Sequence, residues 1–112
     1  MTDLWNYRIG IQGSDQDLTG YHVEATDGHV GKIDASNAEV DNAYLVVATG
    51  FWLFGKKRLI PARAVKQINH YIRAVFVDLP KDDVKNAPDF DSTWQDPDRR
   101  EALAGYFDAY PW

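Results

Sequence analysis

Two histidines, His22 and His29, fall close together in the sequence with Glu24 and Asp27 between them. Imidazole and carboxylate at such spacing can act as an acid and base pair or as ligands to a transition metal. The spacing matches no metal motif, and a chain without cysteine has no thiolate to add. The plain alternative is that His22 and Glu24 face solvent on a strand, Asp27 forms a turn and His29 follows it. His70 admits the same plain reading. Hydrolytic chemistry would need an activated nucleophile held against a base, yet Ser14, Ser36 and Ser92 stand in polar segments with no nucleophile-elbow pattern around them. Gly50 and Gly55 bracket aromatic residues and do not open a helix, so they do not form a phosphate-cradling loop. The residues therefore predict no catalytic set, no metal site and no cofactor, and a protein that binds rather than catalyses.

The strongest candidate for binding is the run Phe51, Trp52, Leu53 and Phe54 directly followed, after Gly55, by Lys56, Lys57 and Arg58. Large apolar side chains rimmed by cations are a common build for a protein interface. Three cations can also touch an anionic membrane surface, although the acidity of the whole chain weakens that reading.

These segments are carried on 112 residues, enough for one ordinary domain. The hydrophobic fraction of 45% and aromatic fraction of 13% suffice for a packed interior and exclude a disordered chain. Twelve Lys and Arg against seventeen Asp and Glu leave a net charge of -5, which a nucleic-acid backbone would repel. The absence of cysteine suits a reducing compartment. Nowhere is there the run of about 18 apolar residues that a membrane-spanning helix requires. The expectation is a cytoplasmic protein with no nucleic-acid partner and no integral membrane segment.

Three zones separate by pattern: an N-terminal arm over residues 1–17, a strand-rich body over 18–88, and a linker and helix over 89–112. Tyr21, Val23 and Ala25 alternate with His22, Glu24 and Thr26 as in a half-buried strand, and Asp27-Gly28 then supplies a two-residue hairpin turn. Gly31, Ile33 and Ala35 share one face of the next strand while Val30 falls on the other, which predicts a bulge or a close backbone approach near Gly31. The unbroken apolar run Ala43 to Ala48 predicts a strand covered on both faces. Leu59-Ile60 forms a short strand that Pro61 ends. Val65 to Asn69 and Tyr71 to Leu79 form a last hairpin turning at Asn69-His70, with Ile72, Ala74 and Phe76 on one face. Lys81 to Lys85 fits one helical turn. Asp96 as N-cap, Pro97 at the first helical position and the recurrence of Leu103, Tyr106, Phe107 and Tyr110 predict a real helix. That helix is the candidate cover for Tyr44 to Val47.

The ordered series Leu18 to Val23, Asp27 to Ile33, Tyr44 to Val47, the glycine-flanked loop and Leu59-Ile60-Pro61 resembles the PRC-barrel family over residues 18–88. The exit through Leu79-Pro80-Lys81 and Ala87-Pro88 is similar as well. The resemblance implies a mainly β fold: a small PRC-like β-barrel of about six strands with a short C-terminal helix and aromatic terminal arms. Relatives of that kind include the cytoplasmic barrel of the photosynthetic reaction-centre H subunit and the C-terminal barrel of the ribosome maturation factor, which do different jobs. This chain looks like a free-standing member. The function so implied is a non-enzymatic protein-interaction or self-assembly module, its partner a cytoplasmic protein or a second copy in a homodimer. The alternative is a barrel that binds a small hydrophobic, quinone-like ligand at a mouth lined by Phe51, Trp52 and Phe54. In a barrel the aromatic loop can equally fold over the open end of its own body. The arm aromatics Trp5, Tyr7, Trp94, Tyr106, Phe107, Tyr110 and Trp112 can likewise cover the body or exchange with a second copy.

Overall fold

In the computed structural model, which describes residues 3–48, 57–88, 90 and 96–112, the alternating run after Leu18 forms strand β1 (His22–Ala25). Its inward residues, Tyr21 and Val23, are buried. β1 turns through Thr26 and Asp27 into β2 (Gly28–Asn37), with Ala25 opposite Gly28. The turn thus lies one residue earlier than the Asp27-Gly28 pair expected. Gly28 opens the new strand at φ +137°, a backbone conformation that a side chain disfavours.

β2 carries two irregularities where its apolar register changes. Val23 lies opposite Gly31 and Glu24 opposite His29, so Val30 is the extra residue of a bulge, and its side chain is buried. This is the bulge expected near Gly31. A second shift falls between Ile33 and Ala35, making Asp34 extra. Ile33 is consequently buried and Ala35 exposed, so the two do not share a face as the simple alternation predicts.

β3 (Tyr44–Ala48) pairs with β2 and with β4 (Lys57–Pro61). Leu45, Val46 and Val47 are successive and all buried, as a strand covered on both faces requires. β4 is longer than Leu59-Ile60 and starts at Lys57 because Lys57 pairs with Ala48. A short 3-10 turn, Ala62–Ala64, leads into β5 (Val65–Asn69), which pairs with β6 (Ala74–Val77). Residues 70–73 form the turn between them, with Arg73 at φ +54°. Ile72 therefore stands in the turn, 54% exposed, and not on the strand face with Ala74.

The six strands make one mixed sheet in the order β4-β3-β2-β1-β6-β5, in which only the β1–β6 pair is parallel. The sheet is not closed: β4 and β5 are its two edges. Yet three residues connect them. Six flat strands would hold their edges about 24 Å apart, whereas four Cα steps reach at most about 15 Å. The sheet must curl until its edges approach at that end. The connection ties both sides there, because Ala62 N–H donates to the Ala43 carbonyl (3.1 Å) and Asp78 N–H to the Ala64 carbonyl (2.8 Å).

Helix α1 (Lys81–Lys85) follows β6, and its Val84 is fully buried. Helix α2 (Pro97–Phe107) begins with Pro97 after Asp96, as expected, although the Asp96 side chain makes no capping bond. Leu103 and Phe107, one turn apart, enter the same hydrophobic cluster as Leu45, Val47, Ile60 and Val84. Burying two such side chains is worth about 1.5–3 kcal/mol each. The polar ties of α2 run to the segment before β3, where Arg100 donates to Asn42 Oδ1 (2.8 Å) and the Asp41 carbonyl (3.1 Å). At its other end the Tyr106 hydroxyl donates to the Asp83 carbonyl (2.6 Å).

The N-terminal arm packs on its own chain. Leu4 is buried, its carbonyl accepts from Arg63 N–H (3.0 Å), and the Trp5 carbonyl accepts from Ala43 N–H (2.9 Å). Both arms meet at Asp78: its carboxylate pairs with Arg8 (3.3 Å) and its carbonyl accepts from the Trp112 indole (3.3 Å). They also meet where the Arg100 guanidinium lies 4.4 Å from the Trp5 ring centroid.

Candidate functional site

Of the segment singled out for binding, Phe51, Trp52, Leu53, Phe54 and Lys56 lie outside the described residues, as does Trp94. Lys57 and Arg58 form the root on which that segment meets β4. Lys57 Nζ spans from β4 to Asp34 Oδ2 on β2 (2.7 Å), using the residue that the second bulge pushes outward. Arg58 is only 6% exposed. Its Nε donates to the Lys85 carbonyl at the end of α1 (3.1 Å), where helix carbonyls lack intrahelical partners and favour a cation. A second guanidinium nitrogen reaches the Lys57 carbonyl (3.4 Å).

The pair of histidines and their carboxylates come together on the β1–β2 hairpin. Two-residue spacing places His22 and Glu24 on the outward face of β1, and cross-strand pairing brings His29 opposite Glu24. His29 Nδ1 lies 3.3 Å from Glu24 Oε2, and the His22 and His29 ring centroids are 5.4 Å apart. Asp27 faces the other way in function: its Oδ1 accepts from Lys81 N–H (2.8 Å), so the turn residue secures the first turn of α1. A shallow cleft of about 230 Å³ opens between hairpin and helix, lined by His29, Lys81, Asp82 and Lys85. Among the described residues no group of three or more His, Asp and Glu side chains is placed to hold a metal ion.

His70 is not grouped with the other histidines. It clamps the N-terminal arm to the sheet: Nε2 donates to the Gln12 carbonyl (3.0 Å), and Nδ1 accepts from the Tyr21 hydroxyl (2.9 Å). Since a carbonyl can only accept, the neutral ring carries its proton on Nε2. Ser36, another candidate group, accepts from Leu18 N–H (3.3 Å).

Two phenols are used differently. The Tyr110 hydroxyl donates to Asp83 Oδ2, and burial together with that bond pushes it above the ordinary phenol range. The Tyr7 hydroxyl is buried with no hydrogen-bond partner, and burial pushes it up to about 12. Among the described residues the exposed large apolar side chains are Ile9, Val40, Tyr71 and Ile72. Tyr71 and Ile72 sit beside His70 in the β5–β6 turn.

Sequence patterns missed the cleft because Lys81 and Lys85 meet His29 through tertiary packing, the Asp27–Lys81 bond among it, between segments distant in the chain. The available signal was a pair of lysines four residues apart in a helical turn after Pro80. Among the described residues no helix is long and apolar enough to cross a membrane. Neither the protein-family models nor the curated proteins contain a match to this chain.

Proposed function

We propose that this chain is a non-enzymatic protein-interaction or self-assembly module of PRC-barrel type, with Phe51, Trp52, Leu53, Phe54, Lys56, Lys57 and Arg58 as its contact segment. The observation that carries the reading is the anchored root of that segment. Lys57 is held by Asp34 and Arg58 by carbonyls of α1 and β4, so the residues that follow the four large apolar side chains in sequence have a fixed place on β4. A fixed base lowers the ordering cost of binding. The three-residue link between the edge strands supports a curled, barrel-like body. Exposed Tyr71 and Ile72 add apolar surface at another turn.

The reading is tested with a Trp52→Asp, Phe54→Asp double variant whose thermal melt matches the wild type. Light scattering reports self-association, and affinity capture from native host lysate reports a foreign partner. A dimer or a stoichiometric partner held by the wild type and lost in the variant is the expected result. A monomeric wild type that retains no protein overturns it. A small molecule retained in native mass spectra would replace it with the hydrophobic-ligand reading.

A further inference from the structure

We infer that the cleft between the β1–β2 hairpin and α1 is a binding site for a phosphate group, as inorganic phosphate or as the phosphate of a small molecule. The site does not rest on the segment from Phe51 to Arg58. It brings three nitrogen donors from two elements to one concavity: the His29 imidazole from β2, and the Lys81 and Lys85 ammonium groups from α1. Lysines four apart lie on one face of a helical turn, so both address the same opening.

The frame is fixed before any ligand arrives. The Asp27 carboxylate holds the first turn of α1 to the hairpin, and the fully buried Val84 seats the helix on the core. Gly28 is part of the same frame. The Lys81 side chain lies across the start of β2, its Nζ 3.5 Å and its Cε 3.7 Å from where a Gly28 Cβ would stand, which are ordinary contact distances and place the lysine over the strand that carries His29. Glu24 Oε2, 3.3 Å from His29 Nδ1, orients the ring.

The chain as a whole is acidic, at -5, whereas the lining of this cleft carries two lysines against one aspartate, beside a histidine. A tetrahedral dianion offers oxygens to all three donors, whereas a carboxylate or halide satisfies fewer. Lysine serves phosphate as a point charge with rotatable donors. Asp82 on the same rim repels a second anionic group and can accept from a ligand hydroxyl, which favours a phosphate monoester of a small polyol over a polyanion.

The test is titration with inorganic phosphate at constant ionic strength, chloride making up the balance, followed by amide and imidazole NMR shifts. Saturable shifts confined to residues 27–32 and 80–86 are expected, with acetate giving weaker ones. A His29→Ala, Lys81→Gln double variant of unchanged melting temperature should bind about tenfold or more weakly, the loss of one or two charge-assisted bonds. Lys66→Gln on exposed β5 should bind like the wild type. Glycerol phosphate binding more tightly than inorganic phosphate would assign the site to a phosphorylated small molecule, and the reverse order would assign it to free phosphate. Shifts that do not saturate, that chloride reproduces, or that survive the double variant overturn the proposal. Should the double variant unfold, Lys85→Gln alone must weaken binding, and unchanged affinity there also overturns it.

Discussion

At the scale of single residues, the polar side chains that looked chemical in the sequence mostly hold the chain together. His70 shows this best. Its ring bridges Gln12 and Tyr21, and Gly13 passes so close that a Cβ there would lie 2.0 Å from Nε2. Gly13 also has φ +73°. Gly13→Ala must therefore displace the ring and strain the backbone, and urea unfolding should show a loss of about 1–3 kcal/mol. In a His70→Ala background the same substitution should cost less, because only the backbone strain remains; equal costs in the two backgrounds would rule out the clamp. Tyr7 gives the opposite kind of prediction. Its hydroxyl is buried without a partner, so Tyr7→Phe should be neutral or stabilising by up to about 1 kcal/mol. Burial raises its folded-state pKa to about 12 from the ordinary phenol value of 10.0. The unfolded phenol therefore ionises first, and stability present below about pH 10 is lost as the pH rises towards 12. Tyr7→Phe should remove part of that alkaline loss in chemical denaturation measured across this range, leaving the part due to Tyr106 and Tyr110, which burial also raises.

At the scale of elements, α1 is too short to persist alone and depends on what binds its ends. Asp27 holds its start and Arg58 its final carbonyl. Asp27→Ala should cost about 0.5–2 kcal/mol and raise amide exchange in residues 81–86 more than in β3. Uniform exchange across the chain would show that the bond is dispensable. The same two residues mark where sequence reading succeeds and stops. Alternation located β1 and the irregularity near Gly31, an unbroken apolar run located the doubly covered β3, and the bounds of β5 were legible too, because each is written in neighbouring side chains. Asp27 was legible as a turn former, but not as a tether for a helix more than fifty residues on. Arg58 read as part of a cationic run, yet it is buried, and the Lys85 carbonyl that receives its Nε comes from α1, far along the chain. The parallel β1–β6 pairing and the second bulge at Asp34 were invisible for the same reason. Each is decided by a partner strand and not by the segment itself.

At the scale of the whole molecule, the two arms are parts of one cooperative body. The N-terminal arm bonds to the seam between β4 and β5 through Leu4, Arg8 and Arg63. α2 shares the hydrophobic cluster through Leu103 and Phe107, and the arms touch one another at Asp78 and at Trp5. Phe107 is the largest fully buried side chain described, packed edge-on against Tyr106 and near Tyr110 and Trp112. Phe107→Ala should cost about 3–5 kcal/mol from lost burial and the cavity left behind. A domain of this size holds only about 5–15 kcal/mol in total, so that loss brings the chain near its unfolding midpoint at modest temperature. If the arms belong to the body, amides in residues 4–12 should lose protection in the same transition as those of β3, although Phe107 lies at the far end of the sequence. An N-terminal arm that stays protected while the C-terminal helix frays, or a sheet that melts at the wild-type temperature without Phe107, would show instead two appendages on an independent sheet. Hydrogen exchange followed through the thermal transition separates these outcomes, because it reads each segment against the same global unfolding.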